Sequence, residues 1–553
     1  MEHYLSSGLI LIIFIISSLL MFLRKIPALL ALPIMAILMP LCVGIQISDV
    51  FNFVIGQGSL KLNEAYTIAI FGGILSILLQ KTGVAESFIK KGAELSGDNP
   101  FLISVLMLLL IALLFTTIGG LGAIIMVATI VLPIMISVGI SPLATAGIFL
   151  FGLSIGGILN PTNWALYTGT LKLQLQEITP FAVQMFLIAF FISLVYIVLQ
   201  LKFDGANIKL KKIIFSLISL FAIIFVLYII FTQLPIETQK VIETFLKKIW
   251  IYTKLILIVF IIFAFVYNIY RLFTHKSEEI HWLSYFTPII PLLFILLFNI
   301  HPIGAFTIGI FYCFISTYKK NHLNLLIKSM FEGSASVMPA VILMLGIGML
   351  LVSIMGPDTS VIKLKVQTDN SGNAVIYLRE KNNFKIQNIN DLIIKFENNN
   401  GAKIKYNLSS NLDKLYIASS QPNKDLTIEI RNWRVLAILQ PIFSKIVPQN
   451  GFSYFLIFTL LAPLSLYRGP LNVWGMGYPV ATIFLSSGMP AIAIMALLIS
   501  VGQIQGISDP TNTQNVWLAN ELQIDVQKIL WNTLPFTWIM AIFGLLIASI
   551  QIY

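Results

Sequence analysis

Long apolar runs separated by short polar joints make up almost the whole chain. Runs of about 17 to 22 apolar residues match the ~30 Å of hydrocarbon that a transmembrane helix must cross. The pattern predicts helices at 5–23, 26–45, 64–80, 100–118, 121–138, 142–159, 180–201, 213–233, 249–271, 283–299, 302–318, 333–355, 452–467, 472–486, 489–507 and 529–552. Some of these sixteen segments are expected to be re-entrant hairpins rather than full spans. One region breaks the pattern. From about 360 to 433 the runs shorten to "VIKLKVQ", "AVIYLRE", "DLIIKFE", "AKIKYNL", "DKLYIAS" and "DLTIEIR", with Asn, Gly and Asp between them. Alternation with period two between turn residues predicts a small antiparallel β domain.

Two nearly identical words interrupt the apolar runs, "GGILNPTNWALY" at 156–167 and "GISDPTNTQNVW" at 506–517. Their Asn160 and Asp509 lie 509 − 160 = 349 positions apart. Other pairs follow at or near that spacing: "SVGISPLA" (137–144) with "SSGMPAIA" (486–493), and "GGLGAIIM" (119–126) with "RGPLNVWGM" (468–476). "PFLISVLMLLL" (100–110) resembles "SYFLIFTLLA" (453–462), and "GQGSLKLNEAYTIAI" (56–70) more weakly resembles "FEGSASVMPAVIL" (331–343). A collinear series of this kind is the mark of an internal repeat. Seven segments fall in 5–201, seven in 283–552 and two between them. Seven plus two is odd, so the second copy enters the membrane from the opposite face. The expected fold class is an all-α polytopic membrane protein of inverted-topology repeats with broken helices or re-entrant hairpins, plus one small all-β insert. The expected units are 1–201 (first repeat), 202–282 (connecting hairpin), 283–355 with 434–553 (second repeat) and 356–433 (insert).

Composition excludes a soluble protein: 58% of 553 residues are hydrophobic, 11% are charged and the mean hydropathy is +0.91. Arg24 and Lys25 follow the first apolar run instead of preceding it, which argues for an uncleaved helix with its N-terminus outside. That orientation puts about sixteen Lys and Arg in inner joints and seven in outer ones, in line with the positive-inside rule. The net charge of +11 is accounted for by those joints, so no nucleic-acid partner is implied. The insert then lies outside the cytoplasm. Cys42 and Cys313 sit in apolar runs and suggest neither a disulfide nor a zinc site. The five histidines are scattered, and no GxxxxGK[ST] loop occurs, so neither an enzyme nor a primary pump is expected.

Proline lacks an N–H and clashes with the preceding turn, so it breaks a helix. At membrane depth unwound backbone is tolerated only where it is buried or lines a cavity. Asn and Thr around such a break add amide and hydroxyl groups that suit a carboxylate or a small cation. Asn160, Thr162, Asn163, Thr511 and Asn512 are therefore the expected substrate ligands, joined by Asn472 and Arg468 from the glycine-rich "LYRGPLNVWGMG" (466–477). Arg468 also fits a cytoplasmic anchor, and the glycines of "TTIGGLGA" (116–123) fit either a hairpin tip or close helix packing. Ionisable side chains at membrane depth are costly and point to ion coupling. Asp509 leads that group, followed by Glu64 and Glu332, while Ser154, Gln503 and Ser508 are candidates to line the same cavity.

With "GILNPTN" (157–163), "GISDPTN" (506–512), the "GQGSLKLNEA" and "EGSASVMPA" entries and a hairpin-like pair before each PTN, the chain resembles the ion transporter superfamily of bacterial secondary carriers. The resemblance covers 1–355 and 434–553; the β insert is not part of it. It implies citrate, C4-dicarboxylate, gluconate or lactate-type transport across a bacterial inner membrane, no enzymatic activity, and a homodimer. The dicarboxylate branch carries Ser-Asn-Thr at its hairpin tips, where this chain has Asn-Pro-Thr-Asn and Asp-Pro-Thr-Asn. What carries over is a paired polar tip, with no cofactor and with H+ or a Na+ ion near Asn160 and Asp509 as the coupling ion. A Na+/H+ antiporter on the same scaffold is the alternative, and a membrane receptor sensing through the insert is a third reading.

Overall fold

The six alternating runs form six strands in the computed structural model, which describes residues 2–23, 25–205, 236–274, 280–318, 322–377, 392–397, 404–409, 414–419, 425–445 and 447–553. The strands are β1 (Val361–Gln367), β2 (Asn373–Tyr377), β3 (Leu392–Glu397), β4 (Ile404–Leu408), β5 (Lys414–Ser419) and β6 (Asp425–Asn432). They make two antiparallel three-stranded sheets, ordered β1-β6-β3 and β2-β5-β4. Alternation puts Ala374, Ile376, Leu415, Ile417, Ile428 and Ile430 into a core of their own. Trp433 fastens the insert to the helices, its indole N–H donating to the Ser353 carbonyl at 2.7 Å beside Gly356, whose φ is 82°.

The apolar runs are helical, with boundaries that differ from the hydrophobic pattern. The 64–80 segment is the later part of Ile47–Lys81, which begins with a π-helical stretch at Val50–Gln57. The 249–271 and 333–355 segments extend to Ile236–Thr274 and His322–Met355, because polar first turns continue the helix beyond the apolar window. The 283–299 segment is a 3-10 turn, Trp282–Phe286, followed by Ile290–Phe298. The 213–233 segment lies outside the described residues. Among the described residues seven helices are long and apolar enough to cross a membrane, or eight if the bent pair Pro142–Ile158 and Pro161–Leu171 is one span. Other predicted segments are shorter apolar helices, among them Ala28–Cys42, Leu121–Ser137 and Pro302–Ser316. Pro100–Phe115 has 16 residues, which at 1.5 Å each is about 24 Å and short of a full crossing.

Helix packing makes the repeat visible. A Cβ on Gly73 would stand 2.5 Å from the Gly333 carbonyl oxygen, and a Cβ on Gly58 would stand 2.7 Å from the Met349 Cα and 3.2 Å from the Gly348 oxygen. Ile47–Lys81 and His322–Met355 thus cross at two glycine pairs, 58 with 348 and 73 with 333. The offsets are 333 − 58 = 275 and 348 − 73 = 275, so each glycine meets the counterpart of the other one. This is how a two-fold relation looks inside one chain. As one index rises the other falls, so these equivalent helices run antiparallel, as an inverted repeat requires. Beyond the insert the offset becomes 349, longer by 349 − 275 = 74 residues, nearly the length of the β1–β6 region. The axis returns between Ser154 and Gln503, which are 349 apart, where the serine hydroxyl donates to the glutamine Oε1 at 2.9 Å.

Candidate functional site

Each proline word ends one helix and starts another. Pro142–Ile158 stops at Leu159, and Pro161–Leu171 restarts at a 49° bend with Pro161 at its first position, where no N–H is needed. Ala491–Ser508 stops at Asp509 and Thr513–Glu521 follows. The two restarted helices were not anticipated from hydropathy: the word after each break is too polar to register as a segment.

Asn160 and Asp509 cap the breaks in the same manner. Asn160 Oδ1 accepts from the Thr162 N–H at 2.9 Å, and Asp509 Oδ1 accepts from the Thr511 N–H at 2.8 Å and its hydroxyl at 2.7 Å. The other side-chain atom separates them. Asn160 Nδ2 donates to the carbonyls of Phe115 (3.0 Å) and Ile118 (3.2 Å), docking the break on the tip of the first hairpin, between Pro100–Phe115 and Leu121–Ser137. An ionised carboxylate has no hydrogen to donate. In the second copy Asn472 supplies it, with Nδ2 donating to the Ser465 carbonyl at 2.8 Å and to Asp509 Oδ2 at 3.2 Å. Both breaks therefore dock on hairpin tips, directly in one half and through an interposed amide in the other.

Asp509, Asn472 and Ser465 are fully buried. Among the described residues Asn472 Oδ1 and Ser465 Oγ have no hydrogen-bond partner, and neither does Oδ1 of the buried Asn515, whose amide donates to the Ile507 carbonyl at 2.8 Å. A buried oxygen left unpaired costs about 1–3 kcal/mol, so such atoms mark a place where something else binds or moves. The tip beside them is held in uncommon backbone conformations: Tyr467 and Arg468 both have positive φ, 54° and 61°. Gly469 is required there, since a Cβ would collide with the Leu464 carbonyl. The second tip's glycines thus serve a tight loop, whereas Gly119 and Gly122 of the first tip face open space. Close helix packing explains neither set.

The remaining expected residues fall in several places. Asn163 Nδ2 donates to the Gly157 carbonyl at 2.8 Å and Asn512 Nδ2 to the Gln505 carbonyl at 2.5 Å, so both amides tie the restarted helix to the one before it. Thr162 faces Gly72. Arg468 is half-buried inside the tip, donates to the Trp474 carbonyl at 3.2 Å, and is within coulombic reach of Asp509. Ser154 and Gln503 bind each other across the axis, and Ser508 joins Thr533 (2.8 Å) and Thr537 (3.0 Å), so these three act as ties between helices. Glu64 and Glu332 are not gathered with the breaks. Glu64 meets His301 at 2.9 Å and Glu332 meets Lys81 at 2.5 Å, each with its side chain about half exposed. Ser465, Gln505 (whose Oε1 accepts from the Val473 N–H at 2.6 Å) and Asn515 were not singled out from sequence. The polar run "TQN" at 513–515 was the legible signal for the last of them. Among the described residues no three His, Cys, Asp or Glu side chains cluster as metal ligands.

No protein-family model matches the chain, and no curated protein does. Among solved structures it is similar to the YdaH transporter of Alcanivorax borkumensis, whose crystal structure is described as having an unusual topology. Identity is 12% and the TM-score 0.43, over 91% of this chain and 87% of that one.

Proposed function

We propose that the protein is a secondary carrier that moves a small organic anion together with H+ or Na+ by alternating access. The observation that carries this reading is the buried Asp509–Asn472 contact at a helix break, opposite a second break that holds an amide at the same place. Broken helices of inverted repeats are where secondary carriers bind their cargo. Asp509 can take a proton or face a small cation, and the unpartnered oxygens of Asn472 and Ser465 are hard donors suited to either. Arg468 and the Thr162 hydroxyl are groups a carboxylate would use. The mechanism rests on the near-symmetry of the halves: exchanging their conformations would open the breaks to one face and then to the other.

Uptake of labelled citrate, succinate, gluconate and lactate into proteoliposomes, under a pH gradient or a Na+ gradient imposed separately, tests the proposal. Accumulation of one acid under one gradient is expected. Dissipation of the pH gradient by Na+ or K+, with no acid taken up, would replace the reading with a cation/proton antiporter.

A further inference from the structure

A cleft of about 330 Å³ lies away from the hairpin tips, where Asn63–Lys81, Pro302–Ser316 and the end of Pro161–Leu171 converge. Its polar groups are Glu64, His301, Thr168, Lys172 and Gln174. Glu64 shares a hydrogen bond with His301 at 2.9 Å, an ion pair only when the imidazole is protonated, whereas Lys172 has no ion pair among the described residues. Lys172 is also held at φ 59°, ψ 27°, a left-handed conformation that residues other than Gly, Asn and Asp seldom adopt. It directly follows the helix that carries Thr168, and both residues line the cleft. Lys172 is therefore the cation of the cleft that lacks an ion pair among the described residues; the Thr168 hydroxyl donates to the Ala165 carbonyl at 3.0 Å.

The floor of the cleft points at the first break. On Asn63–Lys81, residues 64, 68 and 72 share a face at four-residue spacing. Glu64 and Ile68 line the cleft, and Gly72 packs against the Thr162 side chain, whose Oγ1 lies 3.2 Å from where a Cβ would be. Ile68 and Ala165, each buried, form the floor, so one apolar layer about 6 Å thick separates the cleft from Thr162. The second half does not copy this arrangement. At the 349 offset, Trp517 stands for Thr168 and Glu521 for Lys172.

We infer that this cleft is the entrance to the first helix break, an anion-selective vestibule that captures a small carboxylate on Lys172 before the Ile68–Ala165 layer opens. The inference deepens the carrier reading and rests on it for the identity of the cargo, but the charge and access of the cleft can be tested without transport. In the full-length chain carrying Cys42→Ser, Thr168→Cys is labelled in proteoliposomes with an anionic (sulfonatoethyl) or a cationic (trimethylammonioethyl) methanethiosulfonate, each rate taken relative to free cysteine. The anionic reagent is expected to be favoured about tenfold, the preference to vanish in Lys172→Met, and Lys172→Arg to restore it. Gln174→Cys serves as a second reporter, and Trp517→Cys should favour the cationic reagent. Failure of both reporters to label, or a preference that survives Lys172→Met, overturns the proposal. Where an acid is transported, Lys172→Met should raise KM about tenfold with kcat within twofold. The expected labelling with no acid uptake would keep the vestibule and discard the carrier.

Discussion

Asn160 and Asp509 occupy the same turn of the two repeats, and one atom separates their roles. The amide nitrogen of Asn160 reaches two tip carbonyls directly, and the carboxylate of Asp509 reaches its tip only through Asn472. In Asp509→Asn the new amide and that of Asn472 would both present N–H groups. A flip of Asn472 lets its Oδ1 accept from the new amide but takes its Nδ2 off the Ser465 carbonyl, so one buried bond is lost either way. The variant is therefore expected to fold with a loss of about 1–3 kcal/mol and, if the carrier reading holds, to lose gradient-driven accumulation and keep exchange of preloaded substrate. Loss of exchange as well would assign Asp509 to substrate binding instead. Glu429 in the insert is the opposite kind of buried carboxylate, one whose role is stability. Burial pushes its carboxyl up, but the hydrogen bond and charge of Arg431, with Lys363 beside it, outweigh that and hold it below its ordinary value. A depressed folded-state value contributes stability above the unfolded carboxyl range and loses it as pH falls through the folded value. The insert should thus weaken below about pH 4. Glu429→Gln should cost about 1–2 kcal/mol at neutral pH and flatten that acid dependence, read by amide exchange in β6. Asp509 and Asn472 both stand out in the sequence, but their contact does not, since they lie 37 residues apart and meet only once the tip has folded back; Glu429 is one acid in an alternating strand and carries no such signal.

At the scale of elements, proline and glycine positions explain what was legible. The two breaks follow from Pro161 and Pro510 inside otherwise helical runs, and the six strands follow from period-two alternation. The extended ends of Ile236–Thr274 and His322–Met355 were hidden because their outer turns are polar while the backbone ladder simply continues. Of the four glycines at the helix crossing, Gly58 and Gly333 were present in the compared words and Gly73 and Gly348 lie just beyond them; none carried a chemical signal, and their meaning emerges only when the helices are laid together. A methyl group at Gly348 would run into the Gly58 carbonyl oxygen, and one at Gly73 into that of Gly333. Both obstacles are backbone atoms that cannot swing aside. Gly348→Ala and Gly73→Ala should each destabilise the protein by about 1–3 kcal/mol, lowering the thermal midpoint in detergent. Gly122→Ala, with nothing within 4 Å of the new methyl group, should leave it unchanged or slightly raised. Equal effects at all three positions would mean that the crossing is not what the glycines serve.

Over the whole molecule the repeat measures the insert. Ile47–Lys81 maps onto His322–Met355 at an offset of 275, and Val84–Ser96 maps onto Arg434–Phe443 at 349. The first half joins its two helices through Thr82 and Gly83, with Gly83 at φ 75°; the second half places Gly356, at φ 82°, close to the equivalent position and then inserts the sheets before resuming at Trp433. The two sheets fill a core of their own with aliphatic residues, and the junction contacts come from Gly356, Ser360 and Trp433 and from Ile393 of β3, which packs into the helical core beside Arg434–Phe443. Lys61 to Asp358 at 2.6 Å is a further tie, with the Asp358 side chain 87% exposed, and an exposed pair of that kind is worth little. With Ile393 the one sheet residue in the helical core among the described residues, the helical scaffold is expected to fold without the sheets. Removing residues 358–432, with Gly356 and Trp433 kept and a two- or three-residue joint copied from Thr82–Gly83, should give a protein with the same detergent-solubilised helicity and a thermal midpoint within a few degrees. If the carrier reading holds, its uptake should stay within about twofold of the parent. A shortened chain that still folds but transports nothing would make the insert part of the working cycle rather than an addition to it. The place to look would then be Lys61, which lies three residues from Glu64 at the mouth of the cleft.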